Sequence, residues 1–462
     1  MSYILPSHPS LTSLDPLGIT DSDDPSVWQV IAASIASFRL KALTIWDLPQ
    51  LIEDLAYSIH GNGQVDTSFL CQYLTKSYQN LPSSATKPLL DAILDAVLAL
   101  PSLFPSSSIA YLTDIHPAIE LSQAQIRSLV AHQILGTLKP PKGNDWGCTF
   151  FCWYSEPQPL EHAVYGYLTT VFHFFERPCS TLGPTLYEFY TSPEPLPLTT
   201  WTSCDAQLFD HLIIESTSAS TVRFPHSSLR CILVSSNKSP GFGPAGTQEE
   251  LVTGACPALL PFGALLVSPP IPDNAALLAQ RAVPMAAWEG QGRNARLIEK
   301  LESETEYTFL LLDALELDTL GDFKASLVDL VPDLLSREIH KAYTGFLALR
   351  TRNIHQVAAP LWGTGAFEGD PVVKTIILAL AGALAKVTVC LSVDTTRSFA
   401  VPGDDRNTPL QLISVLIRLK ENCEDMTVQD ILGYLATKQA QSCLNGLELV
   451  EMLEVLASGK SS

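Results

Sequence analysis

The stretch "CILVSSNKSPGFGPAGTQEELV", Cys231–Val252, decides how the chain is read. Its opening, "CILVSS", is short, apolar and β-branched, which is the pattern of a buried strand. A loop rich in glycine and proline follows, and "QEELV" has no helix breaker, so a helix is expected to start near Gln248. A strand, a glycine loop and a helix in that order describe an α/β layer with a ligand loop at the carboxyl end of a strand. Gly241, Gly243 and Gly246 also have the G-x-G-x-x-G spacing of a dinucleotide site. That reading requires an acid roughly 20 residues downstream to hold a ribose. The following "LVTGACPALLPFGALLVSPP" contains none, so an oxidoreductase is disfavoured. Glu249 and Glu250 have two readings. Acids in a first helical turn complement the macrodipole without further function. Alternatively, one of them is a general acid for glycosidic cleavage. A helix N-terminus lowers a carboxyl pKa, and a bound diphosphate would offset that.

Composition bounds the partners. The chain has 462 residues, enough for two or three domains, and its charged fraction of only 16% describes a well-buried globular protein. A net charge of −20 argues against a cationic groove for duplex nucleic acid. The ten cysteines are scattered and complete no zinc set, so reduced thiols and no bound metal are expected. "MSYILPSHPS" lacks a basic and apolar leader, and the longest apolar run, "TIILALAGALA" from Thr375, is too short to cross a bilayer. A soluble intracellular protein with no membrane association is expected.

Helical periodicity dominates the first third. "PSVWQVIAASIASFRL", "PLLDAILDAVLALPSLF" and "LSQAQIRSLVAHQIL" each carry one apolar face, the last with Ser122 as N-cap, and "HAVYGYLTTVFHFF" continues the series. From about Thr181 short apolar segments of strand length appear: "HLIIEST", "LRCILVSS", "GALLVSPP", "NAALLAQR", "YTFLLLDAL" and "VTVCLSV". Helical segments such as "VDLVPDLLSREIHKAYTGFLALR" and "DPVVKTIILALAGALAK" alternate with them. This alternation predicts an α/β layer. Amphipathic helices close the chain after "VPGDDRNTP".

A second glycine loop, "LWGTGAFEGD" (Leu361–Asp370), follows the short apolar "HQVAAP" and precedes a helix. Successive N–H groups of Thr364, Gly365, Ala366 and Phe367 are placed to form an anion nest. The alternative is a tight turn in which the glycines serve backbone angles only. Two such loops in one layer favour a nucleotide diphosphate. No G-x-S-x-G, P-loop or H-E-x-x-H pattern is present, and the histidines are dispersed.

At these loops the sequence resembles the poly(ADP-ribose) glycohydrolase family. Gln248-Glu249-Glu250 matches that family's Gln-Glu-Glu, and Trp362–Asp370 fits W-G-x-G-A-F-x-G-D. "LSQAQIRSLVAHQIL", "EIHKAYTGFLA" and "MTVQDILGYL" are similar to other family segments, in the same order. The resemblance implies a three-layer, mixed-sheet macrodomain at 181–404. An all-helical accessory region at 1–180 would precede it, and C-terminal helices at 405–462 would pack on it. It implies hydrolysis of ribose–ribose O-glycosidic bonds in poly(ADP-ribose), releasing ADP-ribose. Glu250 would be the general acid/base, and Glu249, the second catalytic residue, would hold a ribose hydroxyl. Gln248 would lie toward the nucleotide, with Asn237 near the catalytic ribose. Gly241 and Gly243 would let backbone approach the substrate, and Thr364, Gly365, Ala366 and Phe367 would wrap the diphosphate. No metal or cofactor is implied. The partners would be poly(ADP-ribose), ADP-ribose and poly(ADP-ribosyl)ated proteins, met by a monomer in the nucleus or cytoplasm.

The sequence departs from the family at several points. Phe242 interrupts the glycine loop, Val234 replaces an aspartate, Leu361 an asparagine and Glu368 a glycine. "AVPMAAWEGQGR" stands where a tyrosine loop is expected, and Val393 where an aromatic is expected. A module that binds ADP-ribose without cleaving it is the alternative function. Arg223, Arg230 and Lys238 are the nearby cations that would relieve repulsion of a polyanion.

Overall fold

The structure is a computed structural model. It describes residues 2–460 apart from 23, 42–43, 62–64, 141–146, 193–200, 202, 218–220, 223–228, 269, 303, 320–326 and 400–409. Arg223 and the "VPGDDRNTP" segment (401–409) lie outside the described residues. The chain forms two compact units. The first comprises Met1–Glu188, Ser239–Pro269 and Ala279–Glu306, and the second Phe189–Lys238, Pro270–Leu278 and Tyr307–Ser462.

The first unit is built largely from helices: α1 (Val27–Leu40), α2 (Leu48–His60), α3 (Ser68–Tyr78), α4 (Ser83–Leu98), α5 (Gln123–Ile134), α6 (Glu161–Glu176) and α7 (Gln248–Ala255). The expected helices form, and their starts follow side-chain chemistry. Ser122 caps α5 by accepting from the Gln125 N–H at 3.2 Å, with the Gln125 side chain returning to the Ser122 N–H. Ser26 and Gln29 close α1 in the same way. Each helix turns an apolar face inward; on α1 this comprises Val27, Val30, Ile31, Ile35 and Phe38. His132 on α5 is fully buried, and burial pushes its pKa down to about 3, so it is a neutral core residue. The expectation of a strand at "GALLVSPP" is overturned. Phe262–Leu266 forms one wide helical turn, where Gly263 lies so close to the Pro240 carbonyl that a Cβ would sit 1.7 Å from its oxygen. Leu265 and Leu266 are buried in this compact turn, and Val267 forms only an isolated parallel bridge to Leu112, an ambiguity that short apolar runs always carry.

The sheet strands are β1 (Ala118–Leu121), β2 (Thr185–Thr191), β3 (Leu212–Thr217), β4 (Cys231–Ser236), β5 (Ala275–Ala282), β6 (Tyr307–Asp313), β7 (Gln356–Ala359) and β8 (Thr388–Asp394). In the first unit β1 pairs antiparallel with the opening residues of β2. In the second unit the order runs β2-β5-β6-β4-β7-β8-β3. Within it β6, β4, β7, β8 and β3 are parallel neighbours. The sheet is therefore mixed. In register, Asp313 lies opposite Ser236 and Ala358 opposite Ile232, so β6, β4 and β7 end on the same edge.

The second unit's helices are α8 (Pro332–Arg350), α9 (Pro371–Ala385), α10 (Leu412–Asn422), α11 (Val428–Leu435) and α12 (Gly446–Lys460). Its core joins Leu233, Leu310, Leu312 and Leu391 of the sheet to Ile339 and Phe346 of α8, Ile376, Ile377 and Leu380 of α9, and Leu416 and Ile431 of the closing helices. Lys374 opens the apolar run that the sequence presents as flanked by charge, yet it is wholly buried. It is held by Glu338 of α8 and by Asp329, the latter at 3.2 Å. Its methylenes pass against Gly363 and Gly369 so closely that a Cβ at Gly369 would lie 2.4 Å from Lys374 Cε. Replacing Lys374 by methionine leaves buried Asp329 without its ammonium partner and Glu338 with only Arg337, 2.6 Å away, and the expected loss is about 3–5 kcal/mol of unfolding free energy. Urea unfolding of purified Lys374→Met against wild type measures it, and a loss below about 1 kcal/mol contradicts this role.

Candidate active site

The first unit holds Gly241, Gly243, Gln248, Glu249 and Glu250. The helix start at Gln248 is as expected. Thr247 is the N-cap and accepts from the Glu250 N–H at 3.3 Å, while Glu250 Oε2 accepts from the Thr247 N–H at 3.0 Å. One residue earlier, Glu249 Oε1 accepts from the Gly241 N–H at 3.0 Å, which ties the glycine loop back onto its own helix. Both glutamates are buried, with 8% and 7% of their surface exposed. A helix N-terminus by itself is expected to lower the carboxyl pKa of a candidate acid. For Glu250 the balance goes the other way. Burial raises its pKa above the ordinary glutamate value, and the N–H groups of Thr247, Ala245 and Gly246 offset only part of that rise.

An aromatic cluster lies in the same unit. Phe242 is 1% exposed and packs on Phe150 and Trp153, with ring centroids 4.9 Å and 4.7 Å away. Trp153 Nε1 donates to the Gly243 carbonyl at 3.1 Å. Tyr167 of α6 stacks on Trp153 at 5.1 Å and lies against Gly254 of α7, where a Cβ would be 2.3 Å from Tyr167 Cδ1. Gly254 is one turn past Glu250 on the same helix face. The Cys152 thiol is pushed up to about 12 by burial and by the Glu250 carboxylate, so it keeps its proton. All ten cysteines are free thiols. Phe242, which interrupts the glycine loop in sequence, thus turns into an aromatic cluster of its own unit. The cluster was not found from sequence, although "FFCWY" (Phe150–Tyr154) carried the signal.

The second unit holds Asn237, Thr364, Gly365, Ala366 and Phe367. Asn237 directly follows β4, and Leu361–Asp370 follows β7, so both leave the edge where the parallel strands end. The Gly363 N–H donates to Ser235 Oγ at 3.1 Å, and Trp362 Nε1 donates to the Leu312 carbonyl at 3.0 Å, which pins the start of the loop to β4 and β6. The Thr364 N–H is spent on the Leu361 carbonyl at 3.3 Å. Among the described residues no hydrogen bond engages the N–H groups of Gly365, Ala366 or Phe367. Asp370 caps α9 through the N–H groups of Val372 and Val373. Glu368, at a family glycine position, has φ +57°, so the left-handed turn persists without its glycine. Arg397, which the sequence reading did not single out, donates to Thr364 Oγ1 at 2.9 Å. Of the proposed cations, Lys238 is paired with Asp273 at 3.3 Å and Arg230 lies over the Tyr307 ring. Among the described residues no group of three or more His, Cys, Asp or Glu side chains is arranged to hold a metal ion, and no helix is long and apolar enough to cross a membrane.

A mixed sheet with flanking helices, glycine loops at the ends of its parallel strands and a separate helical region defines a macrodomain-type protein with a helical companion. Family comparison gives the narrower assignment. Residues 67–190 match the helical domain of poly(ADP-ribose) glycohydrolase, and residues 199–399 match the macro domain fold of the same family. The chain belongs to the poly(ADP-ribose) glycohydrolase family, and with it to the glycohydrolases. Solved structures similar to it include the Deinococcus radiodurans poly(ADP-ribose) glycohydrolase in complex with ADP-ribose. That match has 14% identity over 51% of this chain and 95% of that one, with a TM-score of 0.32. The Thermomonospora curvata enzyme bound to the inhibitor ADP-HPD is 18% identical over 50% of this chain and 84% of that one, with a TM-score of 0.29. These global similarities are low, and the assignment rests on the family matches.

Two outcomes follow. Phe242→Ala opens a cavity in the aromatic cluster, with an expected cost of about 3–5 kcal/mol in chemical denaturation. Glu250 has a folded pKa above its unfolded one, so the folded state binds more protons and stability falls as pH rises from the ordinary glutamate range through the folded pKa. Glu250→Gln should lose that decline. Unfolding curves across the acid range show it as a wild-type minus variant difference that shrinks with pH.

Proposed function

We propose that the chain hydrolyses ribose–ribose O-glycosidic bonds in poly(ADP-ribose) and releases ADP-ribose, with Glu250 as general acid/base. The observation that carries this reading is a buried carboxyl at a helix start whose pKa is raised by burial. A protonated Glu250 would deliver its proton to the leaving ribose oxygen as the glycosidic C–O bond breaks. The anomeric carbon would pass through an oxocarbenium-like state. The resulting carboxylate would take a proton from water as the water oxygen bonds to that carbon, restoring the acid. Glu249 would hold a ribose hydroxyl, with Gln248 toward the nucleotide and Asn237 beside the catalytic ribose. Gly241 and Gly243 would permit close backbone approach, and the unengaged N–H groups of Gly365, Ala366 and Phe367 would face the diphosphate, with Thr364 beside them. The polymer would be carried by poly(ADP-ribosyl)ated proteins in the nucleus or cytoplasm, and the enzyme would act as a monomer. The domains would be an accessory region at 1–180, a catalytic macrodomain at 181–404 and closing helices at 405–462.

A second reading, binding without cleavage, is favoured by one observation: Glu250 already serves its helix as the acid of a capping box. Incubating the protein with purified poly(ADP-ribose) separates the two. Released ADP-ribose is expected from wild type. Glu250→Gln should release at least about a hundredfold less, while ADP-ribose affinity stays within a few-fold. Binding without product in wild type would favour the second reading, and full activity of the variant would remove Glu250 from its role.

A further inference from the structure

The end of β6 feeds a short segment, Ala314–Thr319, beside the second glycine loop. Its backbone is fixed at alternate residues. The Leu315 N–H donates to Glu338 Oε1 at 3.2 Å, and the Leu317 N–H donates to the Phe367 carbonyl at 3.2 Å. Thr319 closes the turn, its hydroxyl donating to the Glu316 carbonyl at 2.7 Å. Glu316 is therefore held on both sides. Its carboxylate accepts from Asn237 Nδ2 at 2.7 Å, a short charge-assisted bond. The pairing follows from register: Ser236 and Asp313 are opposite one another on adjacent parallel strands, so the residues just beyond them share one edge. The segment touches Asn237 through a side chain and the second glycine loop through its backbone.

We propose that Glu316 is a positioning residue for ligand binding: by engaging the amide nitrogen of Asn237 it fixes which end of that amide meets the ligand, presenting the carbonyl oxygen as an acceptor for a ribose hydroxyl. An asparagine amide rotated by half a turn offers a donor instead of an acceptor, and the two orientations differ in which ligand groups they accept. A carboxylate on the nitrogen side removes this choice before the ligand arrives. The role rests on the functional reading above, in which Asn237 contacts the ribose.

The test is a double-mutant cycle on the full chain, reading ADP-ribose affinity by calorimetry and kcat and KM on poly(ADP-ribose). Glu316→Ala should weaken ADP-ribose binding about tenfold, with KM changing more than kcat. Glu316→Gln retains an acceptor oxygen and should recover most of that loss. Asn237→Ala should weaken binding alone, and adding Glu316→Ala to it should change affinity by less than about twofold, because the two act through one contact. Melting temperature separates folding from positioning and should stay close to wild type in Glu316→Gln. Additive losses in the cycle, or wild-type affinity in Glu316→Ala, overturn the proposal. A wild-type protein with no measurable affinity for ADP-ribose overturns the functional reading and this role with it.

Discussion

The buried side chain of Lys374 is the contact on which the loop-bearing edge of the second unit depends. It sits on α9 without solvent, held by carboxylates from α8 and from Asp329. Its stem lies against both glycines that bracket the second loop. Asp329 also accepts the Asp370 N–H at 2.8 Å, and Asp370 in turn accepts from the N–H of Gly446 at the start of α12. Glu338 meanwhile accepts from Leu315 beyond β6. One cation thus holds the start of α9, the loop at 361–370 and the segment after β6 in a single arrangement. Desolvating these charges is costly, and what they supply is registry more than net stability.

The first unit reaches a comparable result with apolar contacts. Phe242, Phe150, Trp153 and Tyr167 make a continuous aromatic cluster that meets α7 at Gly254, and a single indole hydrogen bond fixes the Gly243 carbonyl. Burial of the Glu250 carboxyl outweighs the helix start in setting its proton affinity. The two loops therefore differ in kind: one is shaped by ion pairs and glycine fit, the other by aromatic burial.

The sequence made legible whatever depends on local periodicity and local caps. The helices of the first third, the Ser122 cap, the start of α7 and the strands β4, β6 and β8 are readable because each needs only its own residues. "GALLVSPP" misled because a run of apolar residues carries no period, and the close approach of Gly263 to the Pro240 backbone that makes a turn there is a long-range fact. Glu250's proton affinity was misjudged for a related reason. The helix dipole is visible in sequence, but the burial of the carboxyl, which outweighs it, is a property of the fold. Phe242 looked like an obstruction because its direction was unknown. Glu316, Arg397 and Lys374 carried no motif, and their meaning comes only from which strands end side by side.

The inward turn of Phe242 also limits how the protein can be dissected. A fragment beginning at residue 181 would keep the glycine loop, both glutamates and all of α7, yet it would lack Phe150, Trp153 and Tyr167. The loop would lose its floor, and a large aromatic ring would be left facing solvent. For expression and crystallography the helical segment belongs to the same unit as the glycine loop, and a free-standing macrodomain cut from this chain would be prone to self-association through the surface so exposed.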